Sequence, residues 1–521
     1  MPKSRTRVVI DGVVQNEEGD LTNYMLGACT IAAMGGLLFG YDSGGVASRS
    51  FYLKNFVPDL TMKGTTIQGH IYCRPGNQYL DLFTSSVYIA ASVASLLASS
   101  VTRYCGRNVS MSLAGFIYFF GICITAGGIN FIMLVIGRMF VGVGIGFAIQ
   151  SVLIYLSEIA PSNVRGAMNQ CFQLNVTIGI LLANYANYWT ADIKNYWTVD
   201  TKCGSGWRVS LGISAIPALL LGVGSLFLPN SPCSMLERGQ ARNAKELLEK
   251  LRGESNNVDQ EFQDIVFASE VAKRVEHPWK DILKPRYRPH LVMCLLIPLF
   301  QQFTGINAIM FYSPLLFRAL GFGEKALLAS SAITGVVNAV ATCVSIALVD
   351  TSGRRPFLIQ GGIQMSICQA AIATFIAVKF GVSGEGSLSK SDTDIMVVLI
   401  CFYVAAFAWS WGPLAWLLPS EICPLEIRSA ANALNVTVNM LFTFVIAQSS
   451  LIMFCTFKFG LFYLFAGFCV IMTVFIYFFL PETKHVPIED MNSVWKEHWF
   501  WGKYIPDDVI PDRDAFRHLN M

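Results

Sequence analysis

Two ionisable residues lie inside long apolar stretches of the sequence. Asp42 follows the run "GGLLFGY", and Arg138 stands within "VIGRMFVG". An arginine at the centre of a membrane costs about 3 kcal/mol on insertion scales and cannot lose its proton, so a carboxylate facing Arg138 would compensate its charge. Apolar surroundings favour a protonated carboxyl group, whereas a nearby arginine favours the ionised form. A change in the Asp42–Arg138 distance would therefore bind or release a proton.

One alternative for Asp42 is structural. If the first helix ends at Tyr41, then Asp42 lies in water at the outer interface and needs no partner. That alternative gives the carboxylate no part in proton coupling.

Uncharged amides form a second set of polar residues in apolar segments. The stretch "QQFTGIN" contains Gln301, Gln302 and Asn307, and Gly305 would loosen the helix between them. Such amides are costly in a membrane unless they face a cavity or each other. Many neutral donors and acceptors around a cavity suit an uncharged ligand with several hydrogen-bonding groups. The alternative is that the amides only hold helices together.

Several function classes find no support in the sequence. It has no phosphate-binding GxxxxGK[ST] loop, no zinc-spaced Cys/His cluster and no nucleophile–base constellation. The net charge of +3 is too small to indicate nucleic-acid binding. The sequence thus predicts no enzyme, no cofactor, no metal site and no nucleic-acid partner.

The composition indicates the elements that position these residues. Of 521 residues, 53% are hydrophobic and only 14% are charged, which is typical of a membrane protein. Runs of roughly 20 apolar residues predict transmembrane helices. Twelve such helices are predicted, near 24–46, 84–102, 110–128, 131–156, 168–190, 207–228, 290–313, 326–349, 357–379, 394–418, 430–453 and 458–480.

The helices fall into two groups of six. The predicted parts are an N-terminal tail (1–23), a first half (24–228) with an outer lid loop (47–83), a polar central loop with short helices (229–289), a second half (290–480) and a C-terminal tail (481–521). The arginines of the short loops lie on the side of both termini. This bias predicts that the termini and the central loop are cytosolic.

An internal repeat supports two related halves. "SEIAPSNVRGAMN" (157–169) is identical to "SEICPLEIRSAAN" (420–432) at seven of thirteen positions, with an offset of 263 residues. Repeated six-helix halves are typical of transporters, whose substrate site lies between the halves.

The motifs carry a family resemblance. "GGLLFGYD", "GRMFVGVGIGF", "QQFTGINAIMFYSP", "GPLAWLLPSEICPLEIR" and "LPETK" resemble sugar transporters of the major facilitator superfamily, over about residues 22 to 500. "FAWSWGP", "VNMLFTFVIAQ" and "HWFWGKY" are most similar to the hexose/proton symporters of plants and green algae. The resemblance implies an all-α fold of twelve membrane helices in two halves. It also implies that the chain imports glucose or a related hexose with protons across the plasma membrane.

The resemblance also implies roles for individual residues. Asp42 and Arg138 are expected to carry the proton coupling. The expected sugar contacts are Phe39, Gln173, Gln301, Gln302, Asn307, Asn338, Trp416, Asn439 and Thr443. Two alternatives stay open, namely a facilitative uniporter, which often has Asn at the position of Asp42, and a sugar sensor. Sensors usually have a long cytosolic extension, and here only about 40 residues follow the last helix.

Charged loop residues are expected to form a cytosolic gate of weak ion pairs. They are Arg107, Glu158, Arg165, Asp350, Arg354, Arg355, Glu421 and Arg428. The alternative is that these charges only set the topology. The resemblance further implies a disulfide between Cys73 and Cys455 that ties the lid loop to the second half, and free thiols are the alternative.

The sequence departs from the family pattern in the first half. The segment after Asp42 is about three residues shorter, and Asn108 and Leu153 replace the usual Arg and Pro. "PNSPC" replaces "PESPR" after the sixth helix. We therefore expect a weaker gate in the first half than in the second.

Overall fold

The computed structural model describes most of the chain. The described residues are 8–10, 13–15, 22–56, 78–161, 163–191, 206–253, 258–273, 275, 277–310, 324–381, 389–484, 486 and 491–506. Nearly all of them are helical, because apolar stretches with few charges satisfy their backbone hydrogen bonds internally. The one sheet in this part of the chain is a short antiparallel pair, β1 (Val8–Ile10) and β2 (Val13–Gln15), which precedes the first membrane helix.

The described part of the first half contains seven helices. They are α1 (Asn23–Phe56), α2 (Gln78–Tyr104), α3 (Arg107–Ala126), α4 (Phe131–Ile159), α5 (Arg165–Ala191), α6 (Gly206–Ile213) and α7 (Ala215–Phe227). The last two form one membrane span that is interrupted at Ser214. Four short helices follow in the described part of the polar central segment: α8 (Pro232–Glu237), α9 (Ala241–Arg252), α10 (Val258–Lys273) and α11 (Pro278–Asp281).

The second half repeats this arrangement. Its helices are α12 (Arg288–Phe303), α13 (Glu324–Ser352), α14 (Arg354–Phe380), α15 (Lys390–Trp409), α16 (Trp411–Ile422), α17 (Leu425–Phe457) and α18 (Gly460–Phe479). Residues 306–310 continue the span of α12 after a break, and α15 and α16 form one broken span. A short helix, α19 (Met491–Glu497), follows.

The predicted fold of twelve membrane helices in two halves is confirmed. Eleven spans in the described part of the chain are long and apolar enough to cross a membrane by composition alone. The twelfth is α5, whose six Asn and Gln residues lower its hydropathy. The helix that looks least like a membrane span is thus the one richest in amides.

The end of the first helix, the lid loop and both tails differ from the predicted parts. Helix α1 continues ten residues beyond its predicted end, because Ser48 and Arg49 reduce hydropathy without stopping a helix. Residues 47–56 and 78–83 are therefore helical rather than part of the lid loop, and residues 57–77 lie outside the described part. The C-terminal tail is partly folded, since Trp495 and Trp501 are buried in the core of the second half. The N-terminal tail includes the β1–β2 pair.

One large apolar core lies in the second half, and another lies mainly in the first half and includes three residues of α16 and α17. Small residues bring helices close together. A side chain at Gly142 of α4 would place its Cβ 2.2 Å from the Val87 carbonyl of α2. The two halves meet along seams of hydroxyl groups. Ser95 and Thr437 lie 2.7 Å apart, and Ser99 and Ser429 lie 2.9 Å apart, each pair joining α2 to α17.

Candidate functional site

Asp42 and Arg138 form a buried ion pair between α1 and α4. Both nitrogens of the guanidinium fork contact the carboxylate, and the Nη2–Oδ2 distance is 3.2 Å. Asp42 is 1% exposed and Arg138 is fully buried. Because α1 continues to Phe56, Asp42 lies within a helix and not at a hydrated end. The structure thus brings together the two residues that the sequence suggested as partners.

Apolar and hydrogen-bonded neighbours hold this pair in place. The Phe83 ring of α2 lies 5.2 Å from the Arg138 guanidinium carbon, a distance at which ring and cation attract. The adjacent Tyr41 donates its hydroxyl hydrogen to the Ser210 carbonyl of α6 over 2.6 Å. These contacts fix the rotation of α1, so the carboxylate faces α4.

A cavity of about 100 Å³ lies between the two halves. All nine expected sugar-contact residues line it: Phe39, Gln173, Gln301, Gln302, Asn307, Asn338, Trp416, Asn439 and Thr443. Sequence reasoning missed Ser43, Tyr88 and Phe407, which also line it, because a lone hydroxyl or aromatic residue in an apolar span gives no distinct signal. Typical ligand pockets hold about 300–1,000 Å³, so this cavity must widen to admit a hexose.

Amides on one side of the cavity bond to one another. Asn307 donates to Gln302 over 2.6 Å, and Gln302 donates to Asn439 over 3.0 Å. Asn439 then donates to Gln301, whose own amide nitrogen lies 3.0 Å from the carbonyls of Trp411 and Gly412. The network occupies donors and acceptors that a polyhydroxyl ligand would engage.

A break in the seventh span brings these amides together. Gly305 has φ +81°, a conformation that favours glycine, and a Cβ there would lie 2.6 Å from the Phe465 ring. The freed carbonyl of Thr304 accepts hydrogen bonds from Gln369 at 2.5 Å and from Tyr403 at 2.8 Å. The break is therefore a fixed part of the structure, supported by two neighbouring helices.

Trp416 of α16 provides the aromatic face of the cavity. Its ring contacts Phe39 and Phe172 of the first half edge-on, with centroid distances of 6.3 and 6.1 Å. On the adjacent α13, Asn338 is 5% exposed, and its Oδ1 has no hydrogen-bond partner among the described residues. The cavity thus combines an aromatic surface with an acceptor that is not yet engaged.

The expected gate residues lie on the face of the molecule where the short helices α8 to α11 are found. This face is called the charged face below. In the first half, Arg107 binds Glu158 through two contacts of 2.9 and 3.1 Å. Arg107 also contacts Glu237 at 2.8 Å. Ser231 donates a further hydrogen bond to Glu158. Despite the altered motifs, Arg107 and Ser231 thus hold Glu158 firmly.

The second half has a corresponding cluster. Arg354 contacts Glu421 at 2.7 Å and Asp350 at 2.9 Å. Arg355, however, donates to the Tyr477 carbonyl and lies over the Tyr477 ring, so it joins α14 to α18 and not one half to the other. Its side chain points away from the partner half because it follows Arg354 by one position on the helix.

Residues expected to form the gate also connect the halves. Arg428 of the second half lies 3.8 Å from Glu158 of the first. The backbone N–H of Ala167, in the first turn of α5, donates to Asp350 over 2.9 Å. Arg165 begins the same helix and is half-buried at this boundary. The charged face is closed by these contacts.

The cysteines agree in part with expectation. Cys455 is disulfide-bonded, and the other eleven cysteines in the described part of the chain are free thiols. Cys73 lies outside the described residues. Its pairing with Cys455 stays a prediction.

Comparison with known proteins identifies the family. Residues 28–495 match the family described as "Sugar (and other) transporter". The chain belongs to this family. It is 54% identical to Sugar transport protein 4 of Arabidopsis thaliana, over 95% of this chain and 96% of that protein. The membership makes the chain a transporter and not an enzyme, as the sequence indicated.

Solved structures of the same fold suggest the conformation. The proton:xylose symporter XylE bound to 6-bromo-6-deoxy-D-glucose is similar with a TM-score of 0.79 and 26% identity, over 91% of this chain and 100% of that one. Inward-open XylE from E. coli gives a TM-score of 0.65 at 25% identity, over 90% and 100%. The greater likeness to the form with bound sugar analogue agrees with the closed charged face.

The departures from the family pattern lie close to the first-half gate. Asn108 replaces a basic residue, and its amide donates to the Leu228 carbonyl over 3.3 Å. Asn230 of "PNSPC" receives the backbone N–H of Asn108 at 3.5 Å. Neutral hydrogen bonds thus join the ends of α3 and α7 where the family pattern has charges.

Proposed function

We propose that the chain is a proton-coupled monosaccharide symporter that works by alternating access, with glucose or a related hexose as its substrate. One observation carries this proposal. Asp42, paired with Arg138, directly precedes Ser43 and Gly44, which line the central cavity. The ionisable pair and the amide-lined cavity therefore share one turn of α1, and a change at one alters the other.

Sugar binding would exchange one set of hydrogen bonds for another. The hydroxyl groups of a hexose both donate and accept, so they can replace the bonds among Gln301, Gln302 and Asn439. Asn338 offers a further acceptor through its unengaged Oδ1. The apolar C–H face of the sugar would pack on Trp416. Because the present cavity is small, binding requires that Trp416 and α1 move apart.

Proton binding would weaken the contact between Asp42 and Arg138. A neutral carboxyl group attracts a guanidinium less than a carboxylate does, so protonation releases α1 from α4. The movement of α1 then reshapes the cavity through Ser43 and Phe39. Loss of the proton restores the pair and reverses the movement. This cycle couples sugar and proton because both act on one helix.

The charged face would be the cytosolic gate. Its contacts between halves are a long ion pair, Arg428–Glu158, and single hydrogen bonds. A hydrogen bond contributes about 0.5–1.5 kcal/mol net, and at 3.8 Å the ion pair is too long to include a hydrogen bond, so these contacts can break in every cycle. The residues just before the first membrane helix and just after the last lie at this face, since Thr22 contacts Leu251 of α9 and Glu482 accepts from the backbone of Arg354. We infer cytosolic termini in the plasma membrane.

Labelled glucose uptake in transporter-deficient cells tests the proposal. We expect accumulation above the external concentration, and a protonophore should reduce the ratio of internal to external sugar to one. Cells with empty vector provide the background. Uptake that equilibrates and ignores the protonophore would instead identify a uniporter. No uptake of any monosaccharide, with sugar binding retained, would identify a sensor.

A further inference from the structure

Four buried amides between the central cavity and the charged face have unengaged polar atoms. Among the described residues, Asn169, Asn432 and Asn435 each have an Oδ1 without a hydrogen-bond partner, and Gln170 has none at either Oε1 or Nε2. None of the four is more than 3% exposed. Buried polar groups in native proteins are nearly always hydrogen-bonded. A cluster of exceptions in one layer therefore indicates groups that find partners in another state.

These amides continue the polar lining of the cavity toward the charged face. On α5, Gln170 precedes the cavity residue Gln173 by three positions, which places it about 4.5 Å closer to the charged face on nearly the same side of the helix. On α17, Asn435 precedes the cavity residue Asn439 by one turn, about 6 Å. The two helices thus present matched amide columns below the cavity.

Two of the four amides also connect the halves. Asn169 donates to Ser420 of α16 over 2.8 Å, and Asn432 donates to Gln150 of α4 over 3.0 Å. These two asparagines occupy equivalent positions in the 263-residue repeat. Each bond reaches the fourth membrane helix of the opposite half. Both must break when the halves separate at the charged face.

Separation therefore exposes a ring of amides at one level. Asn169 and Asn432 lose their donor contacts, while the acceptors of these two residues and of Asn435 are unengaged already. Gln170 adds a complete amide group that makes no hydrogen bond to the described residues and so has none to lose. If these amides served only to hold helices together, their polar atoms would be hydrogen-bonded in the closed state. Gln302 and Asn439 in the cavity are hydrogen-bonded in this way.

We propose that Gln170, Asn435, Asn169 and Asn432 form a second, exit-side monosaccharide subsite that exists only when the charged face is open. This inference rests on the proposed function. A sugar leaving the cavity would exchange its bonds to Gln173 and Asn439 for bonds to Gln170 and Asn435, one helical turn further along. The subsite would lower the barrier to release, because hydroxyl groups need not lose all partners at once.

The test compares transport from the two faces in proteoliposomes of known orientation, with labelled glucose as the probe. In Gln170→Leu, we expect the KM measured from the charged face to rise about tenfold relative to the KM from the opposite face. The matched control is Gln173→Leu, one turn away, which should raise both KM values. Thermal unfolding should not occur at a lower temperature in Gln170→Leu, since the amide has no bond to lose.

Several results would overturn the subsite. An unchanged ratio of the two KM values would mean that the amide never touches sugar. A lower melting temperature with an unchanged ratio would mean that the amide holds a structural water. If Gln170→Leu fails to fold, the unbranched Gln170→Met gives the same comparison. Failure of the wild-type protein to transport any monosaccharide would instead refute the proposed function, so the two failures are distinguishable.

Discussion

The two halves of the molecule compensate the polar groups buried near the central cavity in different ways. Beside the central cavity, the first half buries the ion pair of Asp42 and Arg138 in an otherwise apolar setting between α1, α2 and α4. At the same cavity, the second half contributes a chain of neutral amides, Gln301, Gln302, Asn307 and Asn439, that are hydrogen-bonded to one another. Charge is concentrated in the first case, and hydrogen bonding is distributed in the second.

This difference predicts how each region responds to substitution. A buried ion has one partner of opposite charge, and removal of that partner leaves a charge that nothing nearby can neutralise. A neutral network loses one bond of about 0.5–1.5 kcal/mol at a time, and its neighbours can rearrange. The ion pair should therefore behave as a switch, whereas the amides should produce graded effects on affinity.

The largest expected effect is at Asp42. Asp42→Asn cannot take up or release a proton, so we expect the accumulation ratio of labelled sugar to fall to one while exchange of sugar across the membrane persists. The unpaired Arg138 costs about 3–5 kcal/mol of stability, and the double variant Asp42→Asn/Arg138→Gln should recover folding without recovering accumulation. Concentrative uptake by either variant would show that the proton is carried elsewhere.

A smaller effect is expected at the centre of the amide network. Gln302→Leu removes the acceptor of Asn307 and the donor to Asn439, leaving both partners unsatisfied at about 1–3 kcal/mol. The KM for sugar uptake should rise about 10-fold to 100-fold, with the accumulation ratio at saturation retained. Gln360→Leu is the matched control, because Gln360 lies on the outer surface of α14. If Gln302→Leu lost proton coupling, the ion pair and the amide network would not differ in their effect on transport.

The smallest effect is expected at the edge of the same network. The Thr443 hydroxyl already donates to the Asn439 carbonyl over 2.8 Å, so it offers a sugar only its lone pairs. Thr443→Val keeps the shape of the side chain and should raise the KM about twofold to fivefold. Thr443→Ser should keep the wild-type KM. A change as large as that of Gln302→Leu would indicate that the hydroxyl is a principal contact.

Much of this arrangement was predictable from residue types in apolar runs. Ionisable residues and amides are rare inside membrane segments, so Asp42, Arg138 and the "QQFTGIN" motif are conspicuous in the sequence. The family resemblance predicted the remaining residues that line the cavity. The repeat located both clusters of gate residues. These signals work because a membrane excludes polar groups that have no partner.

Other features have no signal in the sequence. The length of α1 beyond residue 46 depends on backbone hydrogen bonding, which continues through Ser48 and Arg49 although hydropathy falls. The direction of Arg355 depends on the rotation of α14 about its axis. The bonds of Asn169 and Asn432 across the halves follow from how two rigid units dock. Helix rotation and docking are set by packing of the whole bundle and not by local composition.

Because of the break at Gly305, one set of residues determines where the cavity amides lie and another set determines which chemical groups face the cavity. The position of the amides depends on Gly305, Tyr403 and Gln369, none of which lines the cavity. The chemical identity of the contacts depends on Gln301, Gln302 and Asn307, which do line it. A substitution at one of these three amides can therefore change the groups that face the cavity, while the break that presents them is kept.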